Sequence, residues 1–167
     1  VLRWSVAQTT HPVMIRMPVM GYETSPYPVR TDYSALNKYQ VVQEGAEAAL
    51  IGAGNFAALA SAAAAQLEAE GIHATVVNPI FLSGLDTALL DRLKKKHRLI
   101  LTLEDGILEG GFGQKVASYY GMDAGIRVRN YGIAKEFHDR YDASELARAH
   151  HLTAKQIAAD TLSAWKG

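Results

Sequence analysis

The sequence contains no cysteine among its 167 residues. This absence excludes a disulfide framework, thiolate catalysis and cysteine metal sites. An excess of charge of one sign is also absent, because 17 basic residues balance 17 acidic ones. The chain therefore carries no bulk field that would attract nucleic acid or an anionic membrane, and we expect neither as a partner.

A long apolar run and a secretory leader are missing as well. No apolar run approaches the roughly 20 residues that span a bilayer. The first residues, VLRWSVAQ, lack the basic-then-apolar layout of a signal peptide, so we expect a cytoplasmic protein. What is present is a 49% hydrophobic composition, which suits one domain with a proper core. The chain begins at Val1 rather than at methionine, and we expect it to be a piece of a longer protein.

The first 45 residues differ in pattern from the rest of the chain. The apolar run HPVMIRMP predicts a short strand at residues 12–17, and a polar stretch with two prolines, Pro26 and Pro28, follows it. A lone strand with a tail cannot bury itself. We therefore expect residues 1–20 to be the end of a preceding domain, 21–45 to be a linker and 46–167 to be the main domain.

The remainder alternates strands with helices. Apolar runs predict four strands, at residues 48–53, 73–78, 98–103 and 125–130. Helices are predicted after the first three strands, and two more near the C-terminus. Polar residues suited to helix capping stand at four predicted starts: Asn55, Asp86, Asp142 and Thr153. The pattern predicts an α/β domain with an open, mostly parallel sheet covered by helices on both faces.

The segment ALIGAGNFAALA, residues 49–60, has the glycine spacing of a dinucleotide-binding turn at Gly52, Gly54 and Ala57. Such a site also needs an acid about 20 residues further on, which binds the ribose. The second predicted strand ends in Asn78-Pro79 and offers no carboxylate there. We interpret the glycines as serving a tight turn and close helix packing, and a nucleotide-binding oxidoreductase is the least favoured hypothesis.

The strongest local signal is LTLEDGILEGGFGQKVASYYG, residues 101–121. It resembles the T-x-E-[ED]-G-x-x-x-G-G-F-G stretch of the C-terminal domain in the transketolase superfamily. That superfamily contains transketolases, 1-deoxy-D-xylulose-5-phosphate synthases and the beta subunits of 2-oxo acid dehydrogenases. Four further segments agree in order and spacing: HPVMIRMP, VVQEGAEAALIGAGN, GIHATVVNPIFLSGLDTALLDRL and VRNYGI. The resemblance covers nearly the whole chain and is closest to the synthases or a paralogue of them.

This resemblance implies an enzyme that uses thiamine diphosphate and Mg²⁺ to move a two-carbon unit from a 2-oxo acid or ketose to an aldehyde. The family's G-D-G motif and its cofactor-activating glutamate belong to preceding domains. We therefore expect this chain alone to bind no cofactor or metal and to hold no catalytic residue. Its implied roles are formation of a homodimer and support of the active site beside the preceding domains. The alternative is a stand-alone interaction or regulatory module derived from this domain.

The resemblance also singles out Arg16 as a substrate-binding residue. In the synthases this segment reads R-Y-P-R-G, and its second arginine helps to hold the phosphorylated substrate. Here Val19 stands in that place, and valine cannot offer phosphate the planar fork of an arginine. The acceptor is therefore left open between phosphorylated and free aldehydes. A structural role for Arg16 is the competing interpretation.

Glu104 and Asp105 end the third predicted strand, and Gly110, Gly111 and Gly113 follow in the loop before a helix. Adjacent strand residues point to opposite faces, so we do not expect the two carboxyl groups to share a proton. In one interpretation Glu104 accepts N–H bonds from the loop and the glycines allow close packing. In the other, these residues lie at a site edge or a subunit interface, and the loop can hold an anion.

The histidines give a weaker signal. His138-Asp139 follows the fourth predicted strand, and His150-His151 lies at a helix end. Each pair has fewer than the three or four ligands of a metal site. We therefore expect no metal at either place, and a solvated His150-His151 pair.

Overall fold

The computed structural model describes residues 1–17 and 30–167, which form two units, Val1–Leu36 and Asn37–Gly167. Val19, which bears on the choice of acceptor, lies outside the described residues. No helix in the described parts of the chain combines the length and the apolar character that crossing a membrane requires.

The first unit begins with a short helix, α1 (Leu2–Val6), which the sequence did not predict. The Trp4 ring lies 6.0 Å from the Tyr33 ring, and the Arg30 guanidinium lies 5.7 Å from the same tyrosine. The strand predicted at residues 12–17 is wrong, because these residues form no regular structure. A strand is held by hydrogen bonds to a neighbouring strand, and among the described residues of this unit there is none.

The second unit is built on a five-stranded sheet with the order β1-β3-β2-β4-β5. The strands are β1 (Gln40–Gln43), β2 (Ala48–Gly52), β3 (Thr75–Asn78), β4 (Leu99–Ile107) and β5 (Arg127–Ile133). Strands β2 to β5 are parallel, whereas β1 runs antiparallel to β3. The predicted open, mostly parallel sheet is thereby confirmed.

Two features of the sheet differ from the prediction. Strand β1 was not predicted, and its four residues fall within the range expected to be a linker. It is held at the edge by pairing with β3, where Val41 faces Val77. Strand β4 continues four residues beyond its predicted end, to Ile107, because it pairs with β5 as far as Ile133.

Five helices belong to this unit: α2 (Phe56–Ala69), α3 (Thr87–Lys96), α4 (Phe112–Tyr120), α5 (Ala143–Ala149) and α6 (Ala154–Lys166). Three predicted caps are confirmed, because Asp86, Asp142 and Thr153 each accept a hydrogen bond from a first-turn N–H of their helix. Asn55 stands at the start of α2, but its side chain accepts no such bond.

The helices cover both faces of the sheet and bury one core on each. Helix α2 packs with three fully buried alanines, Ala60, Ala63 and Ala64, and Ile157 of α6 joins them on that face. These small side chains allow a close approach to the sheet. Helices α3 and α4 cover the other face with large apolar side chains: Leu89, Leu90, Leu93, Phe112, Val116 and Tyr120.

The chain reverses its direction of winding at β2. The connection after β2 leads to β3 on one side, and the next connection leads to β4 on the other side. In open parallel sheets, ligands usually lie at the carboxyl ends of the strands at such a switch point. We therefore expect a functional site at the carboxyl ends of β2 and β4.

Candidate functional site

The two glycine turns singled out in the sequence lie side by side at this boundary. We call residues 52–55 and 104–113, at the ends of β2 and β4, the carboxyl edge. Gly52 is paired with Leu103 across the two strands, and the Ala53 N–H donates to the Leu103 carbonyl at 2.9 Å. Segments separated by about 50 positions in the sequence thus share one edge of the sheet.

The Gly52 turn is shaped by close packing. A Cβ atom on Gly52 would lie 2.2 Å from the Phe56 carbonyl oxygen, and Gly54 has a φ of +59°, which favours glycine. At the end of β3, the Asn78 Oδ1 accepts the Ile80 N–H at 3.0 Å and is used within its own turn. This geometry supports the interpretation of a tight turn rather than a dinucleotide site.

Glu104 links the end of β4 to the first turn of α4. Its side chain is buried, with the residue 6% exposed. Oε2 accepts the Phe112 N–H at 2.9 Å, and Oε1 accepts the Gly113 N–H at 2.8 Å. These N–H groups have no partner within the helix, and a carboxylate at this end is favoured by the helix dipole. The hydrogen bonds expected of Glu104 are confirmed, and we call this set the Glu104 clamp.

The other N–H groups of the loop are also used within the chain. The Gly110 N–H donates to Gln114 Oε1 at 2.6 Å, and the Gly111 N–H donates to the Leu108 carbonyl at 3.2 Å. All four N–H groups of residues 110–113 therefore have an acceptor. An anion at this helix start would have to displace Glu104 or Gln114, which favours the structural interpretation of the loop.

The loop glycines meet steric requirements. A Cβ atom on Gly113 would lie 2.3 Å from Thr102 Oγ1, which itself donates to Asn130 Oδ1 at 2.8 Å. A Cβ atom on Gly111 would lie 2.6 Å from Glu104 Oε1, and Gly110 has a φ of +76°. Glycine at these positions lets α4 approach the sheet closely.

The remaining candidate residues are placed differently. Asp105 is exposed although Glu104 beside it is buried, as strand alternation predicts. Arg16 is an exposed residue of the first unit. That Arg16 binds substrate, and that Glu104, Asp105 and the loop glycines lie at a site edge or interface, stay predictions.

A second buried carboxylate, Asp86, does more than cap its helix. Besides the Leu89 N–H, it accepts the Tyr39 N–H at 3.1 Å, and its Oδ1 lies 3.0 Å from Lys38 Nζ. Burial would raise the pKa of the Asp86 carboxyl, but the hydrogen bonds from Lys38 and the two N–H groups outweigh it and lower the pKa. Burial also raises the pKa of Tyr39 to about 12. Asp86 thus fixes the chain before β1 to α3.

A cleft of about 450 Å³ lies at the opposite end of β4, lined by residues 94–98 and 122–126. Its basic lining is partly neutralised, because Lys94 Nζ lies 3.1 Å from Asp91 and 3.4 Å from Asp123. Ligands of open parallel sheets usually bind at the other edge, so we assign no function to this cleft.

Three potential metal ligands meet after β5. The ligand atoms of Glu136, His138 and His150 all lie within 4.8 Å of one another. The expectation of a solvated His150 is wrong, because its side chain is only 15% exposed; the loop after β5 folds against the end of α5. The available signal was the closeness of Glu136 and His138 in the sequence, whereas His150 is 12 positions beyond His138 and joins them only through the fold.

The model of the family "Transketolase, C-terminal domain" matches residues 37–157 of the chain. Among curated proteins, the 1-deoxy-D-xylulose-5-phosphate synthase of Carboxydothermus hydrogenoformans is 32% identical over 150 residues, which cover 87% of this chain and 24% of the synthase. The synthase of Rhodobacter capsulatus is 32% identical over 164 residues, which cover 96% and 25%. The chain therefore spans about a quarter of the length of these relatives.

Solved structures give the same fold. One described as "Split gene transketolase, inactive beta4 tetramer" matches with a TM-score of 0.71 and 29% identity, over 78% of this chain and 43% of that one. The transketolase of Campylobacter jejuni matches with a TM-score of 0.58 and 20% identity, over 82% of this chain and 20% of that one. At that identity, the second match shows the fold alone.

Proposed function

This chain belongs to the family of transketolase C-terminal domains, and we propose that it is that domain of a thiamine diphosphate-dependent enzyme similar to 1-deoxy-D-xylulose-5-phosphate synthase. The proposed reaction transfers a two-carbon unit from a 2-oxo acid or ketose to an aldehyde, in the cytoplasm. The observation that carries this proposal is the 32% identity to a synthase over 87% of the chain. The stand-alone interaction module has no comparable support.

The glycine loop of the carboxyl edge does not fit the diphosphate group of thiamine diphosphate. A diphosphate group would need free N–H donors or cations, but the N–H groups of residues 110–113 donate within the chain. The sequence also lacks the G-D-G motif. When bound, this cofactor supplies the carbanion chemistry. We propose that other domains hold it and its Mg²⁺, and we assign no step of the reaction to this chain.

The role left to this chain is to support the active site and to form a homodimer. The Glu104 clamp fixes α4 against the end of β4, so the carboxyl edge presents Asp105 and the glycine loop on a rigid base. Ligands of open parallel sheets usually lie at this edge. A solved relative described as a beta4 tetramer is consistent with association between copies. We therefore propose that the carboxyl edge lies beside the active site or the subunit interface.

An activity assay tests the proposed reaction. The full-length protein that contains this chain is incubated with pyruvate, thiamine diphosphate, Mg²⁺ and a panel of phosphorylated and free aldehydes. We expect a cofactor-dependent ketose product, whereas the 167-residue chain alone should give neither product nor Mg²⁺-dependent cofactor binding by calorimetry. Failure of the full-length protein with every aldehyde would contradict the function. Tight cofactor binding by the chain alone would contradict the proposed division between domains.

The acceptor can be tested with Arg16. If its guanidinium binds the phosphate of an aldehyde, Arg16→Ala should raise KM for phosphorylated acceptors about tenfold, since a hydrogen bond to a charged group contributes about 1.5 kcal/mol or more. KM for free aldehydes should stay unchanged. Arg3→Ala, at an exposed arginine of α1, is the control. Equal effects of the two substitutions would rule out the assignment.

A further inference from the structure

The loop after β5 and the end of α5 bring two imidazoles and a carboxylate together. His138 Nε2 lies 3.6 Å from Glu136 Oε1, and His150 Nε2 lies 3.9 Å from the same oxygen. The two imidazole rings are 5.8 Å apart and nearly perpendicular. One carboxylate oxygen thus faces two ring nitrogens from different parts of the chain.

Hydrogen bonding does not account for this arrangement. His138 Nε2 is buried and has no hydrogen-bond partner. Its distance to Glu136 is too long for a hydrogen bond, and the distance from His150 is longer still. Buried polar atoms are nearly always paired, so such an atom calls for a missing partner, such as an unseen water or ion.

We propose that Glu136, His138 and His150 bind Zn²⁺, with a water molecule in the fourth position. Two imidazoles and a carboxylate are ligands that Zn²⁺ accepts, and three protein ligands with one water form a recurrent zinc arrangement. Bonds of about 2.0–2.1 Å in a tetrahedron place ligand atoms about 3.3 Å apart. The imidazole nitrogens lie 3.6 and 3.9 Å from the Glu136 oxygen and within 4.8 Å of each other, so the ligand atoms must move closer together by up to about 1.5 Å around the ion.

The surroundings fit a metal site. The backbone around His150, where the chain turns from α5 to α6, is held by two hydrogen bonds. The Leu152 N–H donates to the Ala147 carbonyl at 2.7 Å, and Gln156 Nε2 donates to the Arg148 carbonyl at 2.9 Å. The Glu136 side chain is 59% exposed and gives an ion access from solvent. Bound Zn²⁺ would tie the loop after β5 to the corner between α5 and α6. This proposal does not depend on the proposed enzymatic function.

Zinc titration of variants tests the site. Metal-free protein is titrated with ZnCl₂ in competition with a chromophoric chelator, and one ion per chain is expected. His138→Gln and His150→Gln should each weaken binding about a hundredfold or more, since changes in outer-shell partners alone cost 10–100-fold. The matched control is His73→Gln, which removes an imidazole from an exposed pair with Glu68 at 3.9 Å. Absence of saturable binding, or equal effects of His73→Gln and His138→Gln, would overturn the proposal.

A measurement on the unaltered protein avoids dependence on variants that fail to fold. X-ray absorption of the protein loaded with one equivalent of Zn²⁺ should show two imidazole ligands at about 2.0 Å with oxygen completing the shell. One imidazole or none would contradict the assignment of His138 and His150.

Discussion

Glu104 and Glu136 each face two nitrogen atoms, but their geometries differ. Glu104 is buried and accepts two backbone N–H groups at 2.8 and 2.9 Å. The more exposed Glu136 lies 3.6 and 3.9 Å from two imidazole nitrogens. The first carboxylate completes a closed hydrogen-bond set, whereas the second leaves a buried nitrogen unpaired.

This contrast changes which residues attract a functional interpretation. The conspicuous motif, the acidic pair and glycine loop, uses its polar groups to hold α4 against the sheet. The inconspicuous histidines form the cluster in which a buried nitrogen lacks a hydrogen-bond partner. A buried polar group with every partner supplied needs no ligand for stability, whereas one lacking a partner calls for an explanation, such as a water molecule or an ion.

The comparison of the two glutamates requires that Glu104 stabilise the folded state. Glu104→Ala would leave the Phe112 and Gly113 N–H groups buried without an acceptor, at about 1–3 kcal/mol each. We expect the free energy of unfolding to fall by about 3 kcal/mol or more in urea titrations. Glu109→Ala, at an exposed glutamate of the same loop, should change it by less than about 0.5 kcal/mol. Similar losses in both variants would contradict a structural role for the clamp.

The loop glycines provide a second test of whether this loop has a structural role. Gly113→Ala would place Cβ 2.3 Å from Thr102 Oγ1, and we expect this overpacking to lower the free energy of unfolding by about 2 kcal/mol. Gly125→Ala is the control, because a Cβ there meets nothing within 4 Å. If denaturation shows Gly113→Ala to be as stable as Gly125→Ala, the glycines are not required for packing.

Much of the fold could be predicted because its signals are local. The parallel strands are apolar runs, and α4 follows the third predicted strand as expected, between glycines at 111 and 121. Caps such as Asp142 and Thr153 depend on residues within one helical turn. The Glu104 hydrogen bonds were also foreseeable, because the acid and the loop are joined by a short segment.

The features that sequence reasoning missed depend on distant partners. Strand β1 has only four residues, two of them glutamines, and is held by pairing with β3 more than 30 positions away. Asp86 was recognised as a cap, but its contacts with Lys38 and Tyr39 span more than 45 positions. His150 meets Glu136 and His138 only because the loop after β5 folds against the end of α5.

Added Zn²⁺ tests whether the cluster of Glu136, His138 and His150 binds a ligand. A ligand that binds only the folded state at ten times its Kd raises the free energy of unfolding by about 1.4 kcal/mol. We expect this increase in urea titrations of the unaltered protein and its loss in His138→Gln. Chelation with EDTA should reverse it. An equal increase in His138→Gln would show that zinc acts elsewhere on the chain.

Asp86 is intermediate between Glu104 and Glu136, because it accepts two backbone N–H groups and also contacts a half-exposed lysine. Its pKa in the folded state lies below the ordinary value of 3.8. Its contribution to stability is therefore complete above that pH and is lost as the pH falls through the folded-state pKa. Lys38→Met should lower the free energy of unfolding by about 0.5 kcal/mol at neutral pH, and urea titrations should show this difference vanish once Asp86 is protonated. Lys155→Met, at an exposed lysine, is the control, and its effect on the free energy of unfolding should not change with pH in this way. If the difference for Lys38→Met persists in acid, Lys38 stabilises the fold by packing rather than by charge.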